Sequence, residues 1–151
     1  MVPILEKARR LVESGAVALP KKLVTLLEHG FQKEAGCLVF RWMWEHSPAT
    51  VGSFQDRTAF EMFVNHVHME DFARTRSVAK LLARALVFSE ELLSRVRTMR
   101  LNKPYRVIIS VQTGGCVVHH HQMRTGEDSI PADLEAYKEE AVLVMDVPAR
   151  A

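Results

Sequence analysis

Residues 73–101 carry the longest periodic run in the chain, and it limits what the rest can become. Val78, Leu81, Leu82, Ala85, Leu86, Phe88, Leu92, Leu93, Val96 and Met99 recur mainly at steps of three and four. On a helix of 3.6 residues per turn that spacing makes one broad apolar stripe. Unbroken, such a helix spans on the order of 40 Å, the length of a small domain, and serves as a spine for a sheet. A break near Ser89 is the alternative, giving two shorter helices.

The segments before it also read as mainly helical. Residues 3–14 place Ile4, Leu5, Ala8, Leu11 and Val12 at helical spacing, with Pro3 suited to a first turn and Gly15 to a stop. Pro20 opens a second helix through Leu23, Val24, Leu26 and Leu27 to Gly30. Residues 53–71 read as a third, burying Phe60, Phe63, Val64 and Val67. Residues 37–45, Cys-Leu-Val-Phe-Arg-Trp-Met-Trp-Glu, are rich in strand formers yet long enough to continue a helix from Phe31. The strand reading is preferred, with Leu38, Phe40, Trp42 and Trp44 forming an aromatic wall of the core.

Beyond residue 103 the period changes to two. Residues 106–111 and 116–123 flank Gln112-Thr-Gly-Gly115, whose glycines supply the positive φ angles of a reversal, so a β-hairpin is predicted. Pro131 starts a short helix over residues 132–140, and residues 141–147 form a final strand. The expected fold is α+β: N-terminal helices and one long central helix packed on a small, mainly antiparallel sheet. It is read as a single domain, residues 1–151, with 1–103 mainly helical and 104–148 holding the hairpin, short helix and last strand.

Three consecutive histidines, His119 to His121, stand in the second arm of the hairpin. Alternation puts His119 and His121 on one face and His120 on the other, so only the outer two can act together. Two imidazoles at i and i+2 grip a divalent metal once a third ligand arrives from elsewhere. His119 and His121 are therefore the metal candidates, a divalent metal is the one cofactor to test, and the third ligand is not visible in the sequence. The competing reading makes them half-exposed strand residues with rings packed sideways.

Asn65-His-Val-His68 invites the same chemistry, but within a helix His66 and His68 lie about 200° apart. That geometry leaves His66 with Glu70, or Glu61 with His68, as the same-face sets. A nucleophilic Cys116 served by a neighbouring His is disfavoured, because adjacent strand residues diverge. No HExxH, CxxC or phosphate-loop motif occurs.

Charge is unevenly laid out, although the net charge is only +2. Arg74, Arg76, Lys80, Arg84, Arg95, Arg97, Arg100, Lys103 and Arg106 are opposed over the same stretch by Glu90 and Glu91, while the C-terminal part is acidic. Arg76, Lys80 and Arg84 follow each other one turn apart, with Arg95 near the same line and able to pair with Glu91. These four are the expected contact surface for an acidic protein partner, ahead of nucleic acid, with self-association left open and a merely solvated helix face as the competing reading.

Hydrophobic content of 48% with 25% charged residues is normal for a soluble globular protein and argues against extensive disorder. No long apolar run or signal-peptide pattern appears, and two distant cysteines suit a reducing compartment, so a cytoplasmic protein is expected. With no assembled catalytic set, the sequence favours a small non-enzymatic binding module of the antitoxin, immunity, chaperone or adaptor type. The rival is a metal-dependent enzyme or metal-binding protein using the histidine strand.

Overall fold

In the computed structural model the chain runs through α1 (Val2–Glu13), α2 (Lys21–His29), β1 (Phe31–Glu34), β2 (Cys37–Phe40) and α3 (Arg41–Glu45). After a 3-10 turn at Val51–Ser53 come α4 (Arg57–Val64), β3 (His66–His68), α5 (Met69–Phe72), α6 (Val78–Met99), β4 (Tyr105–Gln112), β5 (Gly115–Gln122) and β6 (Ala141–Val147). The structure describes residues 1–127 and 141–150, so the helix expected over 132–140 lies outside the described residues. The α+β architecture is the expected one.

Helix α6 is unbroken. Ser89 is fully buried within it and marks no break. Leu81, Leu82, Ala85, Phe88, Leu92, Leu93 and Val96 share one core with Tyr105, Val107, Ile109 and Val111 of β4 and with Cys116 and Val118 of β5. Each fully buried Leu or Phe contributes on the order of 1.5–3 kcal/mol, so this helix-on-sheet interface outweighs any surface ion pair. The helix begins later than its periodicity indicates, because Ser77 caps it, its side chain accepting from the Lys80 N–H. Arg76 therefore precedes the helix and is not part of a regular row with Lys80 and Arg84.

The main sheet is antiparallel in the order β3-β5-β4-β6. Its first strand corrects the helix expected over 53–71, which breaks into three elements. Asn65 is the cause: fully buried, its Oδ1 accepts from the Phe40 N–H at 2.9 Å, and its Nδ2 donates to Leu38 O at 3.0 Å and His120 O at 3.1 Å. These bonds to β2 and β5 take the backbone out of the helix, and His66-Val-His68 joins β5 as an edge strand. Phe63, expected in the core, is 58% exposed on α4, whereas Phe60 and Val64 are buried.

Residues 37–45 are a strand only as far as Phe40. Strands β1 and β2 form a hairpin of their own, Phe31 opposite Phe40 and Glu34 opposite Cys37, around Ala35 and Gly36 at φ +48° and +79°. Buried on both sides, β2 is apolar throughout: Leu38 and Phe40 face the main core, while Cys37 and Val39 on the opposite face join Phe60 and Val64 in a second cluster. The chain turns into α3 at Arg41, which dissolves the expected aromatic wall. Trp44 packs on the second cluster, and Trp42, 41% exposed, stacks on His46 at 4.3 Å.

Candidate functional site

Bringing β3 into the sheet juxtaposes histidines that the sequence reading kept apart. His66 and His68 sit at i and i+2 on the edge strand, with buried Val67 facing the core between them. His66 is directly opposite His119 of β5. The rings meet in a row: His119 Nδ1 lies 3.1 Å from His66 Nδ1, and His66 Nε2 lies 2.8 Å from His68 Nε2. The row ends on Glu70 of α5, whose Oε1 is 3.2 Å from His68 Nδ1. Thus His66 meets His68 rather than Glu70, and the separation inferred from helical geometry does not hold.

One arrangement of ring protons satisfies all of these contacts. The Nδ1–H of His119 donates to His66, the Nε2–H of His66 donates to His68, and the Nδ1–H of His68 donates to the Glu70 carboxylate. His119 Nδ1 is also 3.4 Å from Met62 O. Burial, then the neighbouring His119 and His68, push His66 down to about 4, which keeps it uncharged at neutral pH. Burial opposes the charge on Glu70, but hydrogen bonds from its own N–H, the Cys116 N–H and His68 hold the carboxyl below its ordinary value. Its Oε2 accepts from the Cys116 N–H at 3.1 Å, and a side chain on Gly115 would come within 2.9 Å of Oε1. Glycine at 115 gives the carboxylate its room.

His121 belongs to a different environment. It is 2% exposed, and its Nδ1 is bonded to Gln122 O at 2.8 Å. His120 faces the core as alternation requires: fully buried, it packs edge-on against Phe40 at 4.4 Å and meets the Tyr105 hydroxyl through Nδ1. Burial, with His121 and His119 alongside, lowers His120 well below its ordinary value. The Cys116 thiol is pushed up to about 12 by burial and then by Glu70, which removes it as a nucleophile at neutral pH. As the side chains stand, no three His, Cys, Asp or Glu among the described residues are arranged to hold a metal ion.

Glu61 does not approach His68. It is fully buried and accepts from the Leu38 N–H at 2.6 Å, from the Gln122 N–H at 2.8 Å and side chain at 3.1 Å, and from both terminal nitrogens of Arg124 at 2.9 Å. Glu127 extends the network by accepting from the Thr58 N–H at 3.0 Å. This network ties α4 to β2 and to the end of β5, a structural role.

The basic residues divide in two. Among the described residues, ion pairs involve Arg106 with Asp146, Arg124 with Glu61 and Glu127, and His68 with Glu70. Arg106 therefore leaves the set of unopposed cations. Arg76 and Lys80 are exposed and enter none of these pairs. Arg84 is half-buried with a buried Nη1 that has no hydrogen-bond partner among the described residues. Arg95 turns inward, its Nη1 reaching Leu27 O near the end of α2 at 3.4 Å, so the expected pair with Glu91 does not form. At the other end of α6, Arg97, Arg100, Lys103 and Arg150 surround a pocket of about 210 Å³.

Fold and site together define a small α+β protein with a histidine-rich sheet edge and exposed basic residues on and just before α6. Over residues 1–150 the chain matches, and belongs to, the Uncharacterized protein PM0498 family. No curated protein and no solved structure matches it.

The β3 half of the histidine row was missed because its residues were assigned to a helix. The signal was His-Val-His itself, alternating around a β-branched residue, preceded by an Asn suited to ending a helix.

Proposed function

We propose that this protein is a binding module for an acidic protein partner, of the antitoxin, immunity, chaperone or adaptor kind, that docks through the cationic surface of α6 and the residues just before it. The observation carrying this reading is the state of Arg76 and Lys80: exposed, and absent from the ion pairs among the described residues, whereas Arg106 and Arg124 are committed to carboxylates within the fold. An uncompensated patch of one sign steers a complementary partner and speeds its encounter. Arg97, Arg100 and Lys103 extend the same sign to the far end of the helix.

A groove lined by Leu26, Trp42 and Phe72, with Lys21, Lys22 and Asp71 among its walls, offers an apolar anchor point with a polar border. Two buried free thiols, Cys37 and Cys116, fit a reducing compartment such as the cytosol.

The test is capture of partners from lysate at low and high salt, identified by mass spectrometry, with the exposed pair Arg76→Glu and Lys80→Glu combined. Recovery of an acidic protein should fall with salt and be lost in the double variant, whose melting temperature should change little because both side chains are exposed. Recovery that survives charge reversal refutes the reading, and recovery abolished by nuclease replaces the protein partner with nucleic acid.

A further inference from the structure

We infer that His66, His68 and His119 form a binding site for a divalent transition-metal ion, with Glu70 orienting His68. The backbone carries the argument. His66 and His68 are i and i+2 on β3, and His119 is the register partner of His66 on β5, so all three side chains leave one face of the sheet from adjacent positions. Two imidazoles from one strand and one from its neighbour make a compact three-nitrogen set, the ligand type that suits zinc, nickel and copper.

The rings already touch, with centroids 4.4 Å apart for His66 and His68 and 4.3 Å apart for His66 and His119. Their contact nitrogens, 2.8 and 3.1 Å apart, already stand at the roughly 2.8–3.4 Å that separates two nitrogens bound to one ion at about 2.0–2.1 Å. What separates this arrangement from a metal centre is His66, which offers opposite ring nitrogens to its two neighbours. Binding replaces that hydrogen-bonded row by turning His66 so that one nitrogen shares a focus with His68 and His119.

The surroundings of the row are those of ligating histidines. The Nδ1–H of His68 goes to the Glu70 carboxylate, which leaves Nε2 for the ion, and Glu70 is itself fixed by the Cys116 N–H. His121, the ligand expected from its spacing to His119, is instead 2% exposed and bonded to Gln122 O, so the set is completed from β3. This inference stands apart from the cationic docking surface and shares no residue with it.

Tag-free protein, stripped with chelator, is titrated with Zn²⁺, Ni²⁺ and Co²⁺ by calorimetry, and the Co²⁺ complex is read by its visible absorption. One ion per chain is expected. His66→Ala, His68→Ala and His119→Ala should each weaken binding by more than about tenfold, and Glu70→Gln by about tenfold or more. His46→Ala, which removes an exposed imidazole stacked on Trp42, should leave it unchanged. Because the His68 side chain is 45% exposed, its variant should keep the parent melting curve and separate ligand loss from unfolding. Absence of saturable binding, or binding lost at His119 but untouched by the His66 and His68 variants, overturns the inference.

Discussion

Replacing Glu61 by Gln keeps the shape of a side chain that accepts five hydrogen bonds and removes its charge, so any stability lost comes from electrostatics and hydrogen bonding rather than a cavity. Glu61 is 0% exposed, and its partner Arg124 has a side chain 7% exposed. Oε1 receives three donors, from Leu38 N–H, the Gln122 side chain and Arg124, while Oε2 receives two, from Gln122 N–H and Arg124. Whichever way the substituted amide turns, its NH₂ group faces at least two donors, and the guanidinium loses its counter-charge.

Breaking a buried pair by removing one partner costs about 3–5 kcal/mol. For a chain of this length that corresponds to a fall in melting temperature of roughly 6–20 °C. Urea unfolding followed by circular dichroism gives the loss directly from the shift in midpoint, provided the slope is unchanged. Arg124→Met should lie in the same range, and the double variant should depart from additivity by about 0.5–3 kcal/mol because the two side chains share one network. A loss below about 1 kcal/mol for Glu61→Gln, or strict additivity in the cycle, would falsify the view that this pair holds α4 to the two sheets.

Two further outcomes follow from local geometry. Gly36 takes φ +79°, and a Cβ there would stand 3.3 Å from Arg57 Nε. Gly36→Ala should therefore destabilise the protein by about 1–2 kcal/mol in the same urea assay, and no loss would show that the β1–β2 turn relaxes freely. The Cys37 thiol is pushed up to about 11, by burial first and then by Glu61. The unfolded thiol ionises near 9, so folded-state protonation makes stability fall as pH rises from about 9 to 11. Cys37→Ala should flatten that part of a stability–pH curve, and an unchanged slope would refute the assignment.

Elements whose start, stop and period lie within one continuous segment are legible from the sequence. The stripe of α6, the Pro and Gly punctuation of α1 and α2, and the Gly114–Gly115 reversal between β4 and β5 are of this kind. So is the inward side of β5, where alternation alone sends His120 toward the core. Two segments were not legible because their local preferences are divided. Residues 37–45 contain both strand formers and a workable helix, and packing decides between them: Leu38 and Phe40 are taken up by the main core, and the chain turns helical at Arg41. Residues 65–68 continue an amphipathic pattern, yet Asn65 finds carbonyl and amide partners on β2 and β5 that a helix interior does not offer.

The histidine site follows the same division. By itself the sequence determined the α+β class, the long helical spine, the hairpin and the opposition of His119 to His120, because each depends on the period of a single segment. Tertiary structure alone decided that His66 and His68 lie beside His119, that Glu61 turns to Arg124, and that Arg76 and Lys80 stay exposed while Arg95 turns inward. Those outcomes depend on strand register and on partners far away along the chain, and a local pattern carries no information about either.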